Sequence, residues 1–167
     1  MRTTRKQLTL FIDDASGNIE RIRATYNPVQ FSIIPAHVTL CREDELEFID
    51  DILARIRTIS LEKPLHVAFQ GVERSADGKG VFMPSSGENE EFRELRQNVL
   101  GETNLKKEQV PHITLMHPRN STCDDEIFEQ IKQYELPVTL EFEKISLIEQ
   151  SDDGKWKLLQ EFHLVKK

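Results

Sequence analysis

The chain has 167 residues, 38% hydrophobic and 31% charged, enough to bury one core without cross-links and ordinary for a globular domain. No apolar run approaches the roughly eighteen residues of a membrane span, so no membrane partner is expected. Twenty-two basic against 29 acidic side chains leave a net charge of −7, which repels long nucleic acid but says little about one pocket.

Cys41 and Cys123 are too few for a disulfide scaffold and lack metal-ligand spacing, so two reduced thiols are expected. The apolar stretch from Leu8 to Ile12 is too short for a signal-peptide core, and a cytosolic monomer is expected.

In chain order, Gln7 to Ile12 is expected to form a strand that stops at Asp13-Asp14. A helix follows over 17–26, with Ile19, Ile22 and Tyr26 spaced by three and four. A loop carrying Pro28 and Pro35 leads to the tetrapeptide His37-Val38-Thr39-Leu40. Residues 43–58 are expected to form one helix, with Leu46, Ile49, Leu53 and Ile56 on a stripe. Its acidic first turn and its closing Arg55 and Arg57 suit the helix dipole. Leu65 to Val72 reads as a strand, Asp77-Gly78 as a turn and Gly80 to Met83 as the returning strand. A helix over 89–100 ends at Gly101, and a second tetrapeptide follows, His112-Ile113-Thr114-Leu115. A helix over 124–134, a strand over 138–148, a turn at Asp153-Gly154 and a strand from Trp156 to Val165 complete the order.

The second half replays the first. His37 and His112 are 75 residues apart, and Asp77-Gly78-Lys79 and Asp153-Gly154-Lys155 are 76 apart. This implies a duplication, with repeats over 1–77 and 78–167 forming a single bilobal domain. In a strand, residues i and i+2 share a face. Each tetrapeptide therefore shows His and Thr on one side and turns two aliphatic residues to the core. If the two strands meet, two imidazoles and two hydroxyls converge. Histidine titrates near neutrality and serves as either acid or base, while a threonine hydroxyl donates to a phosphate oxygen. That set suits a phosphate ester and calls for no metal and no cofactor.

On His37, Thr39, Leu40, His112, Thr114 and Leu115 the sequence resembles the two-histidine (2H) phosphoesterases, which include bacterial 2′,5′ RNA ligase-like and RNA 2′,3′-cyclic phosphodiesterase proteins. The resemblance implies a two-lobed α+β fold, antiparallel-rich sheets with helices outside, and both motifs in a central cleft. It also implies metal-independent cleavage of 2′,3′-cyclic phosphates of nucleotides or RNA ends, or RNA ligase-like chemistry. His37 and His112 would then be the catalytic pair, and Thr39 and Thr114 would hold phosphate. In the RNA-ligase-like branch an arginine commonly stands two positions after the second motif; here that position is His117, and the next arginine is Arg119.

Arg42, His117 and Arg119 lie just past the motif strands, where a side chain could reach phosphate or ribose. Phe11 and Phe82, read as equivalent positions of the repeat, could stack a base, although strand aromatics are usually core. His66 and His163 have no partner motif, and Trp156 is most simply a packing residue. Two other readings stay open. One is a non-catalytic protein that binds a nucleotide or RNA end in the same cleft. The other is an esterase for a different cyclic phosphate, such as an ADP-ribose derivative. A metal-dependent phosphohydrolase would need clustered ligands that the sequence does not show.

Overall fold

The computed structural model describes residues 3–101 and 108–166. Its elements are β1 (Thr4–Phe11), α1 (Asn18–Tyr26), α2 (Pro28–Ile33), β2 (His37–Cys41), a 3₁₀ turn (Glu43–Glu45), α3 (Ile49–Thr58), β3 (Leu65–Ala68), β4 (Glu73–Arg74) and β5 (Val81–Pro84). Then come α4 (Glu90–Leu100), β6 (His112–Met116), α5 (Asp125–Lys132), β7 (Thr139–Phe142), β8 (Lys144–Ser151) and β9 (Trp156–His163). Seven strands form one sheet in the order β4-β5-β6-β2-β1-β8-β9, every pair antiparallel, and β3 and β7 form a separate antiparallel ribbon. The molecule is thus α+β with an antiparallel sheet, as expected. Among the described residues no helix is long and apolar enough to cross a membrane.

The motif strands β2 and β6 lie side by side at the middle of the sheet, joined by a single bridge, Val38 with Ile113. Their aliphatic face is sealed: Val38, Leu40, Ile113 and Leu115 pack with Leu8, Leu10 and Met83 and with Ile22, Ile52 and Phe92 of the helices. Burying that face leaves the His and Thr side chains on the other. The two halves also exchange strands. β1 pairs with β8 from the second half, β5 with β4 from the first, and β3 with β7.

Both motif strands bulge at the same place. Against β1 the register skips Leu40 between Thr39 and Cys41, and against β5 it skips Leu115 between Thr114 and Met116. A bulge leaves one residue outside the ladder. The Leu40 carbonyl is taken instead by the Arg96 guanidinium, which also grips both carboxylate oxygens of buried Glu45 at 3.0 and 2.7 Å. The register also corrects the assumed equivalence of Phe11 and Phe82. Phe82 faces Thr114 as Thr9 faces Thr39, and Phe11 faces His37 as Pro84 faces His112.

Three other expectations change. The helix over 43–58 is broken: a 3₁₀ turn precedes α3, because Glu45 is drawn inward to Arg96 and its carboxylate also accepts from the Arg42 N–H at 2.9 Å. The strand over 138–148 is two strands in two sheets, parted at Glu143, whose carbonyl accepts from Leu164 N–H at 2.7 Å. The loop before the first motif contains α2, with Pro28 at its first position, where the missing N–H costs nothing.

Candidate active site

Continuing the antiparallel register from Val38–Ile113 sets His37 across from Thr114 and Thr39 across from His112. Each imidazole therefore opposes the hydroxyl of the other motif, and the two imidazoles are diagonal neighbours. Diagonal neighbours on a sheet stand about 7–8 Å apart, with their Cβ atoms somewhat closer, so both rings face one stretch of the cleft.

Both rings are fixed in the same way. His37 Nδ1 lies 2.9 Å from the Pro35 carbonyl, and His112 Nδ1 lies 3.1 Å from the Val110 carbonyl, in each case two residues back along the chain. A carbonyl only accepts, so Nδ1 carries the hydrogen and Nε2 is left for the cleft. Phe11 and Phe82 set their neighbouring rings edge-on, with centroids 6.4 Å from His37 and 6.2 Å from His112.

The approach to His37 is clamped. Buried Arg23 donates to the Ile34 carbonyl at 2.6 Å and pairs with Glu20, whose other oxygen accepts from Ala36 N–H at 3.3 Å. Burial, with Arg23 and His112 nearby, lowers the His37 pKa to about 4 despite the opposing Pro35 carbonyl, so the free protein holds His37 neutral at pH 7. Thr39 is also supported, its hydroxyl accepting from Gln7 Nε2 at 3.1 Å. At the position equivalent to Gln7 stands Gly80, where a Cβ would come within 3.0 Å of Pro118 and of Ser75.

The four motif side chains line a cleft of about 420 Å³. Its other walls include Arg5, Gln7 and Gln150 from the sheet, Gln30 from α2, and His117, Arg119 and Asn120 beyond β6. That last loop is pinned by Asn27, which accepts from His117 N–H at 2.7 Å and donates to Asn120 at 2.7 Å. His117 Nδ1 accepts from Arg119 N–H at 3.1 Å, and burial, with Arg119 and Arg5 close by, lowers its pKa. A second hollow of about 390 Å³ abuts His112 and Thr114 and is lined chiefly by Phe82, Pro84, Val110, Pro111, Met116 and Pro118. One side of the imidazole pair is polar and cationic, the other apolar. Among the described residues no three His, Cys, Asp or Glu side chains gather as a metal site.

The 2′-5′ RNA ligase superfamily model matches residues 11–154, which takes in both motifs and the strands that carry them. The chain belongs to the 2′-5′ RNA ligase superfamily. Solved structures share the fold of this superfamily member across nearly its full length. E. coli LigT in apo form superposes with a TM-score of 0.67 at 13% identity, covering 99% of each chain. The protein TT0787 of Thermus thermophilus gives 0.59 at 20% identity, covering 96% of this chain and 97% of the other. A crystal structure of a phosphoesterase gives 0.60 at 12% identity, covering 98% of this chain and 100% of the other. Comparison with curated protein sequences finds no match.

Within this superfamily fold, the cleft brings together His37, His112, Thr39, Thr114, His117 and Arg119. Arg42 does not line it and instead lies 3.8 Å from Asp44 and 4.0 Å from Glu45. Phe82 lines the apolar hollow, whereas Phe11 lines neither. Trp156, expected as packing, stands on the cleft wall with the Arg5 guanidinium 5.2 Å from its ring. Arg5, Gln7 and Gln150 carried no motif. Their alternation on the His/Thr face of β1 and β8 was the one available signal, and it needed the strand register to be read.

Proposed function

We propose that the protein is a metal-independent phosphodiesterase that opens 2′,3′-cyclic phosphates of nucleotides or RNA ends. The observation that carries this reading is the diagonal pair of imidazoles, each with Nδ1 tied to a carbonyl and Nε2 left for the cleft, with a threonine hydroxyl opposite each. Phosphorus sits between the rings. Water attacks it, the bond from phosphorus to one ribose oxygen breaks, one Nε2 takes the proton from water, and the other Nε2–H gives its proton to the departing oxygen. Thr39 and Thr114 donate to the non-bridging oxygens. Thr39 is already oriented for this, because its oxygen accepts from Gln7 and its own hydrogen is left to donate.

The base lies in the apolar hollow, against Phe82 and between Pro84 and Pro118, which places it beside His112. E. coli LigT has been crystallised with 3′-AMP and with phosphate, ligands that fit a seat of this kind. The test is a chelator-treated assay against 2′,3′-cyclic nucleotides, RNA ends and ADP-ribose-type cyclic phosphates. Turnover by the wild type, reduced at least about 10²-fold in both His37→Ala and His112→Ala, supports the reading. Activity lost on chelation and restored by one divalent metal overturns it. Binding without product favours the non-catalytic alternative.

A further inference from the structure

Arg5, Gln150 and Trp156 lie in one cross-strand row, since Arg5 pairs with Gln150 on β8 and Gln150 with Trp156 on β9. The row builds a rigid guanidinium. Arg5 Nε donates to Gln150 Oε1 at 2.7 Å, buried Gln150 is anchored by donating to the Gly154 carbonyl at 2.7 Å, and the Arg5 plane sits over the Trp156 ring. Only one of the five guanidinium N–H groups is used in this, and the residue lines the cleft. Arg119 lines the same wall on a loop pinned through Asn27 and Asn120. Among the described residues neither arginine has a carboxylate within 4.0 Å, although Asp153 shares the wall.

Two arginines at a cleft wall with no carboxylate partner, one of them fixed by Gln150 and Trp156, make an anion site, because the guanidinium fork matches phosphate. Its place is set by the strand. Gln7 touches Thr39, and Arg5 is two residues further along the same face, a step of roughly 7 Å. That step is of the order of the distance between phosphates on one nucleotide or on successive ones.

We infer that Arg5 and Arg119 hold a second phosphate of the substrate, one nucleotide step from the phosphate between the histidines. The inference rests on the phosphate seat proposed above and narrows the substrate class. The cyclic phosphate belongs to a 5′-phosphorylated nucleotide or to an RNA 3′ end, not to a bare nucleoside.

Calorimetric binding tests it without turnover. The probes are adenosine 3′-phosphate, adenosine 3′,5′-bisphosphate and the dinucleotide ApAp, with the wild type and the Arg5→Gln, Arg119→Gln double variant. A wild-type preference for the bisphosphate or for ApAp of about tenfold over the monophosphate, falling to within about twofold in the variant, is the expected result. Preference for the bisphosphate identifies a 5′-phosphate as the source, and preference for ApAp alone identifies the neighbouring linkage. Equal wild-type affinity for all three, or a preference that survives in the variant, overturns the inference. Should the variant not fold, salt decides. A steeper fall of log affinity with log salt for the preferred probe supports a second charge contact, and parallel slopes overturn it. A protein that shows the preference yet opens no cyclic phosphate fails as a phosphodiesterase while keeping this second anion site.

Discussion

A backbone carbonyl behind an imidazole orients the ring, but it brings no full negative charge to stabilise the protonated form as a carboxylate would. His37 has such a carbonyl, lies in a buried setting near Arg23, and so loses its proton at about 4. The unfolded chain takes up that proton near 6.5. Stability is therefore full above 6.5, falls as the pH drops from 6.5 to about 4, and loses at most about 3 kcal/mol from this group. Urea midpoints measured across that window should fall more steeply for the wild type than for His37→Asn. An anion between the rings favours the charged form, so inorganic phosphate should move the NMR titration of His37 to higher pH. The proposed mechanism needs one ring neutral and the other protonated, which makes kcat pass through a maximum with pH. A rate that only climbs with pH sinks the two-histidine scheme. Replacing Thr39 or Thr114 by Ala should cost less than replacing either histidine, about tenfold in kcat, since in the proposed mechanism each hydroxyl supplies one hydrogen bond to a charged oxygen.

At the scale of elements, the buried Glu45–Arg96 pair does three things: it fills the Leu40 bulge, ends the 3₁₀ turn and ties α4 to β2. Burial pushes the Glu45 carboxyl up, but the Arg96 hydrogen bonds and the Arg42 N–H outweigh it and leave the pKa lowered. Arg96→Met should then destabilise by about 3–5 kcal/mol in denaturant unfolding, because it strands a carboxylate in the core. The same pair shows where the sequence could be read and where it could not. The apolar stripe Ile49, Leu53 and Ile56 announced α3, since a helix writes its face into local spacing. The break before it depends on an arginine 51 residues away and left no local mark. The split at Glu143 is similar, because both sides of the break are apolar enough for a strand and only their partners differ. His37, Thr39, His112 and Thr114 were legible because each motif is a four-residue pattern. Arg5 and Trp156 were not, because only the pairing of β1, β8 and β9 puts them in a row.

Over the whole molecule, the two halves of the chain exchange strands. β1 is completed by β8, and β5 by β4, so a cut in the Asp77-Gly78 turn breaks no strand yet strips each half of partner strands. Fragments 1–77 and 78–167 should each lack cooperative unfolding alone and recover it on mixing, as followed by circular dichroism. The motif strands themselves meet at one bridge, whereas each is bound to its outer neighbour through four register pairs. In the mechanism proposed above, the width between the two imidazoles is therefore set at the Val38–Ile113 seam, and bulkier residues behind that seam should retune the gap without altering either histidine or either threonine.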